Sequence, residues 1–235
     1  MPVACETLRR QLQETWFGKA SGNWSPKCDI VVLPTVSEYS RTLGPGSEQS
    51  SGCASLDIEH EQVVKRRIDL RGDADDWLSA ALPHELTHII VADRFTKRQI
   101  PRWADEGMAI LAEPLAKRAR RSAAMQHALA RQRPQTAGEL MAIGQYPSGD
   151  RRDAFLGQSA SLVAYLLEQG SPDKFLEFVE RSATHDYDRA LADVYQIASR
   201  NRFEVAWQAQ MFSRGESAEL FASRIEVVTS GWRAN

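Results

Sequence analysis

His84-Glu85-Leu86-Thr87-His88 sets two imidazoles four residues apart around a carboxylate. On a helix this spacing brings both rings onto one face, one turn apart, where they suit two ligands of a tetrahedral zinc ion. A catalytic zinc takes three protein ligands and keeps its fourth position for water, so one more ligand must come from elsewhere. Glu85 is poorly placed for that task, because it lies beside the open position, where a carboxylate takes a proton from the water. Glu106, eighteen residues past His88, leaves room to finish one helix, turn, and lay a second beside the first. Gly107 follows it, at a cost in helix stability but with the benefit that another backbone can come close. Asp105 is the rival ligand; it points roughly 100° away from Glu106 on a helix, so only one of the two faces the metal. Asp93, five residues past His88, is a candidate carboxylate for orienting a ligand imidazole.

These side chains need rigid elements to hold them. From Asp73 or Asp75, either of which can cap a helix, DDWLSAALPHELTHIIVADRF is apolar on nearly all sides, as a helix through the centre of a domain would be. Pro83 sits inside this run, so the helix begins afresh there or kinks. Pro101 fits the first turn of a second helix over 101–113, with Trp103 and Met108 in the seam. Upstream, Leu8, Leu12, Trp16 and Phe17 mark a helix over 5–17, KCDIVVLP (27–34) reads as a strand, and SEYSRTL (37–43) as a short helix. GPGSEQSSG (44–52) is a turn-rich loop. Within 53–71, Val63 and Val64 mark one strand-like run, and Ile68 and Leu70 mark a second. Beyond 114 the chain is helical almost throughout: 115–132, 137–143, 154–169, 172–182, 186–198, 201–213 and 216–224, then a strand-like IEVV (225–228). The expected class is α+β, a small N-terminal sheet packed on the active-site helix and followed by a largely helical lobe. YPSGDRRD (146–153) is the best linker candidate.

LPHELTHIIVADRF followed by PRWADEGMAILAE resembles the gluzincin clan of zinc metallopeptidases, and more narrowly the bacterial peptidase MA-like domains, in which a Trp-x-x-Glu-Gly segment supplies the glutamate ligand. The likeness is strong over about residues 80–114, weaker over FLGQSASLVAYLLEQG (155–170), and extends upstream to WSPKCDIVVLPTVSEY. It implies that His84, His88 and Glu106 hold one Zn2+ per chain, that Glu85 is the general base, and that residues 1–235 form a single zincin-like metallopeptidase domain acting on a peptide or protein substrate. In that division, 1–113 carries the sheet and zinc-binding helices and 114–235 the helical lobe. Where those domains often place a Tyr before Gly-Gln-Ser, this chain has Leu156, which leaves the oxyanion donor to Tyr146, Tyr165 or His185. Tyr146 ranks first, since a loop entering a cleft reaches a substrate more readily than a core helix does. No Gly-x-Met-Glu-Asn segment is present to read a free N-terminus, which favours endopeptidase over aminopeptidase action. The strand ending at Leu70 offers an edge to which a peptide adds as a further strand.

Composition narrows the alternatives. With 43% apolar and 26% charged residues, six Trp and a net charge of −2, the chain is globular and has no overall attraction for nucleic acid or anionic membrane. No apolar run reaches the ~18–20 residues of a membrane span. The start MPVACETLRRQLQETWF is charged and amphipathic, which keeps the chain in the cytoplasm unless an export signal preceded it. Lys117, Arg118, Arg120, Arg121, Arg131 and Arg133 read as a solvated helix face rather than a nucleic-acid patch. Cys5, Cys28 and Cys53 lack metal-ribbon spacing; a Cys28–Cys53 bridge requires an oxidising compartment. His60 and His127 read as surface or structural residues. The competing readings are a catalytically inactive pseudopeptidase, or peptide-binding module, retaining the zinc site, and a structural-metal protein, for which four Cys or His ligands would be expected.

Overall fold

The computed structural model describes residues 2–213; the helix expected over 216–224 and the strand expected over 225–228 lie outside them. Helix α1 (Pro2–Phe17) buries Leu8, Leu12 and Trp16 along one stripe, as its 3–4 residue spacing dictates. Strands β1 (Cys28–Leu33), β2 (Gly52–Glu59) and β3 (Gln62–Arg71) form one sheet in the order β1-β3-β2, parallel between β1 and β3 and antiparallel between β3 and β2. Ile68 and Leu70, paired with Ile30 and Val32 of β1, are buried in the core. Helix α2 (Val36–Leu43) is capped by the Thr35 side chain on the Glu38 N–H and buries Tyr39.

The two strand-like runs expected around Val63–Val64 and Ile68–Leu70 are one strand, β3, and its hairpin partner β2 lies upstream. The turn between them uses His60 and Glu61 at φ of 50° and 63°. A two-residue hairpin turn of this hand is usually marked by Asn-Gly or Asp-Gly, so a His-Glu turn leaves no signal in the sequence. The central place of β3 also corrects the substrate edge: the strand ending at Leu70 is paired on both sides, the edges are β1 and β2, and β2 is the one that lines the cleft. The same order keeps Cys28 and Cys53 apart. They sit on the outer strands opposite Arg66 and Asp69, so they are about two strand spacings apart, roughly 10 Å, across β3 and a further three residues apart along it, beyond disulfide reach; all three cysteines are free.

A π-helical turn over Trp77–Ala81 leads into α3 (Leu82–Arg94). Pro83 falls in the first turn of α3, where a missing N–H costs no intrahelical bond, so the helix begins afresh there. α3 packs on β2, β3 and α1 on one side and on α4 (Arg102–Leu111) on the other. Then follow α5 (Leu115–Leu129), α6 (Ala137–Met141), α7 (Asp150–Glu168), α8 (Pro172–Ser182), α9 (Tyr187–Ala190) with a π-helical turn over Leu191–Tyr195, and α10 (Arg200–Ser213). α4 is held between α3 and α7. Trp103, fully buried, meets Phe175 edge-on at 6.2 Å and donates from Nε1 to the Tyr187 hydroxyl at 3.3 Å. One contiguous core draws side chains from α1, β3, α3, α4 and the helices through α10. The segment 146–153, expected to be a linker, instead returns the chain to the front of α4 and starts α7 at Asp150. No helix among the described residues is long and apolar enough to cross a membrane.

Gly107 is where α4 and α7 touch. A Cβ there would lie 2.4 Å from Val163 Cγ2 and 2.7 Å from the Ser159 carbonyl oxygen. Gly107→Ala must therefore push two helices apart despite its higher helix propensity, and the expected loss is about 1–3 kcal/mol. A thermal-melting comparison should show Tm lowered by several degrees; an unchanged or raised Tm would mean the seam is looser than these distances state.

Candidate metal centre

α3 turns His84 and His88 to the same side, and their Nε2 atoms lie 3.2 Å apart. Glu106, on the facing side of α4 and only 4% exposed, brings Oε2 to 3.8 Å from His84 Nε2 and Oε1 to 3.7 Å from His88 Nε2. One ligand atom from each of the three falls within 4.8 Å of the others. Behind the rings stand two carboxylates. His84 Nδ1 is 2.9 Å from Glu113 Oε1, and His88 Nδ1 is 2.9 Å from Asp105 Oδ1. Both contacts approach off the best hydrogen-bonding line, so they act as electrostatic holds more than aligned hydrogen bonds. Arg121 in turn grips Glu113 through both guanidinium arms, one of them at 2.6 Å.

Whether these residues fit a metal ion can be judged from the rings themselves. A carboxylate at each Nδ1 favours the proton there, which leaves both Nε2 lone pairs facing one another. Two lone pairs in contact repel unless a proton or a metal ion lies between the nitrogens, and a metal ion would also engage the third ligand. Two nitrogens bound to one tetrahedral zinc, each at about 2.0–2.1 Å, are separated by about 3.3–3.4 Å, close to the distance found here. The Glu106 oxygens stand a few tenths of an ångström farther out. Electrostatics agree: burial alone would lower the His88 pKa, yet the Asp105 and Glu106 carboxylates outweigh it and push it up to about 10. Without a cation, this centre draws in a proton. Burial alone would raise Glu113, but His84 and Arg121 outweigh it and hold the carboxyl down near 2, as an anion. The donor set of two imidazoles and a carboxylate therefore fits a borderline divalent cation.

Glu85 lies on the sheet side of the two rings, buried, with its carboxylate against the Ala54 backbone of β2. Burial raises its pKa above the ordinary range, while the two imidazoles pull it down and Glu106 pushes it up again. Gly52 makes room for it, since a Cβ there would stand 2.6 Å from Glu85 Cγ. Tyr146 comes from the loop after α6, and its hydroxyl donates to Glu106 Oε1. Burial and Glu106 raise its pKa, so the hydroxyl stays protonated. These groups line a cavity of about 980 Å³ that also takes in the β2 edge from Ser51 to Leu56 and, across from it, Arg102, Arg152 and Leu156.

The structure thus brings together His84, Glu85, His88, Glu106 and Tyr146. Asp105 is at the centre too, but behind His88, not among the three converging donors. Asp93 is not: it pairs with Arg66 of β3, because five residues of helix carry it around to the sheet. Tyr165 is buried against Phe203 and His185 lies exposed beside Thr184, so neither reaches the cleft. Of the basic run, Arg121 and Lys117 turn into the cleft onto Glu113 and Asp76, and Arg133 pairs with Glu139. Glu113 and Gly52 are the residues sequence reasoning passed over. Glu113 lies just past the end of α4, seven residues after Glu106, and in the helix expected over 101–113 that spacing shares a face with Glu106, which is a usable signal; Gly52 sat in what read as a loop.

A family model described as Peptidase MA superfamily matches residues 59–213, more than half of the chain. Comparison with curated proteins and with solved structures finds no match.

Asp105 offers the cleaner test of the carboxylates behind the rings, because among the described residues its ion pair is with His88 and no arginine is paired to it. Asp105→Ala should weaken binding of a divalent cation by roughly 10–100-fold with the fold retained. Chelator-competition titration checks it, and equal affinity in the two proteins would reduce Asp105 to a surface neighbour of His88.

Proposed function

The chain belongs to the peptidase MA superfamily, and from that premise we propose that it hydrolyses peptide bonds as a zinc-dependent gluzincin, with His84, His88 and Glu106 holding one zinc and Glu85 serving as general base. The observation that supports this most is the facing pair of Nε2 atoms closed by Glu106, with a buried carboxylate of raised pKa alongside. A bound zinc supplies Lewis acidity, polarising the substrate carbonyl and lowering the pKa of water toward ~7. Glu85 takes the proton from the attacking water at its carboxylate and later gives it to the departing amine nitrogen. Tyr146, protonated and held at the metal centre by Glu106, is our candidate oxyanion donor.

The β2 edge is the place for the substrate backbone. An extended peptide adds there as a further strand and lies across the metal centre, with Glu85 kept against β2 by Ala54 and Gly52. A cleft bordered by an open strand edge, without a recognition segment for a free N-terminus, favours internal cleavage. We read the chain as one peptidase domain, since sheet and helices share a single core. A protein that binds peptides without cleaving them is the competing reading; the Tyr146 hydroxyl on Glu106 argues against it, because it gives the cleft a donor although Leu156 is apolar.

Elemental analysis of protein purified without added metal should give about one zinc per chain, lost in Glu106→Ala. No metal in the wild type even after zinc is restored would end the enzyme reading. Glu85→Gln should keep its zinc and lose about 10²–10⁴-fold in turnover of a cleaved peptide; a zinc-loaded variant that cuts at the wild-type rate removes Glu85 from the base role. Gly52→Ala should lower kcat with zinc content unchanged, because its Cβ displaces Glu85 and none of the three ligands.

A further inference from the structure

Four basic side chains border the cleft, Arg102, Lys117, Arg121 and Arg152. Two are neutralised: Lys117 Nζ lies 2.6 Å from Asp76 Oδ2, and Arg121 grips Glu113. Arg102 and Arg152 are different. Among the described residues, no carboxylate stands within ion-pair distance of either, Asp153 included. Arg102 donates from Nε to the Gly144 carbonyl at 3.2 Å, and its guanidinium lies 4.2 Å from the centroid of the Tyr146 ring. The Arg152 guanidinium lies 6.0 Å from the same centroid, and its Nε is shut off from solvent with no hydrogen-bond partner.

Two like-charged groups gathered on one aromatic ring repel each other, and a half-buried guanidinium with an unused N–H is costly to leave so. An anion supplied from outside would relieve both. The guanidinium fork matches a carboxylate in particular, since it offers paired N–H donors in one plane. Position fixes what that carboxylate belongs to. Tyr146 reaches Glu106 with its hydroxyl, so both arginines stand one aromatic ring away from the metal centre. Extended peptide advances about 3.3–3.6 Å per residue, so a group held there belongs to a residue within about two of the bond cut.

We propose that Arg102 and Arg152 form a carboxylate-binding subsite, which selects substrates carrying an Asp or Glu side chain, or a free C-terminus, within two residues of the scissile bond. The inference rests on the hydrolase reading for its consequence but not for its test. Arg152 is the residue to vary, because Arg102 also anchors the Tyr146 loop through Gly144.

The wild-type protein is offered a peptide library, with the products read by mass spectrometry, and then matched peptides carrying Glu or Gln at each nearby position, with free or amidated C-termini. An acidic residue should be preferred at one position. Preference that survives amidation identifies a side-chain carboxylate, and preference that vanishes with it identifies the C-terminus. Arg152→Gln should lower kcat/KM for the acidic peptide roughly tenfold more than for its amide counterpart. Arg152→Glu should invert the preference toward Lys or Arg, which misfolding cannot imitate; zinc content and Tm of both variants confirm the fold. In parallel, fluorescence anisotropy with zinc-loaded Glu85→Gln measures binding of the same pairs without turnover. Carboxylate and carboxamide peptides bound alike, or weakened alike by Arg152→Gln, would overturn the subsite. A carboxylate preference in binding that Arg152→Gln abolishes, in a protein that cuts nothing, would uphold the subsite while removing the hydrolase reading.

Discussion

Crowding Glu85, Asp105, Glu106 and Glu113 around two imidazoles is electrostatically unfavourable, and the rest of the structure has to hold them there. Each ion taken out of water costs several kcal/mol after relaxation, repaid only where opposite charge is well placed. Arg121 offsets Glu113. The remainder is met by protonation of His88 or by a cation between the Nε2 atoms; either relieves the lone-pair repulsion between the rings, and a divalent cation also takes Glu106 as a third partner. A site of this kind is stable as a site only when its walls cannot relax, because a small retreat of either helix would let each carboxylate find water.

Rigidity comes from α4 being packed on both sides. Its inner face meets α3 and carries Glu106; its outer face meets α7 at Gly107, close enough that no Cβ fits. Trp103, one turn before, is locked by aromatic contacts and by Tyr187. The Glu-Gly pair thus joins the proposed ligand to the reason it cannot move. Gly52 does the corresponding work on the sheet side, setting the distance between β2 and the Glu85 carboxylate. The centre is built by two absent side chains as much as by the charged ones that are present.

That division explains what could be read in the sequence. His84, Glu85, His88 and Glu106 were legible because helical spacing is local, and one number, 3.6 residues per turn, decides which side chains share a face. The α+β class and most helix positions followed from the same periodicity. Pairing in the sheet was not legible: β3 lies between β1 and β2 because of a turn at His60-Glu61 that carries no glycine or asparagine. From that one hidden turn came the misplaced substrate edge and the disulfide that the fold forbids. Asp93 was misplaced for the opposite reason, since sequence proximity to His88 mattered less than the 500° of helix rotation that five residues represent, about 140° from His88.

Arg152 marks where local reasoning ends and the assembled cleft begins. In the sequence it belongs to GDRRD, a charged turn with every mark of a linker. Folded, that segment opens α7 and lines the same cleft as the β2 edge, so on the proposed reading a peptide lying on β2 has backbone partners on one side and guanidinium groups on the other. The two walls read different things. Strand addition engages only N–H and C=O groups and accepts almost any sequence; an unneutralised guanidinium engages charge and accepts few. Selectivity in this cleft then has to come from the helical wall, from residues whose role depends on which carboxylates are already taken. Lys117 and Arg121 are spent on Asp76 and Glu113, and that pairing, not their number, is what leaves Arg102 and Arg152 to face the substrate.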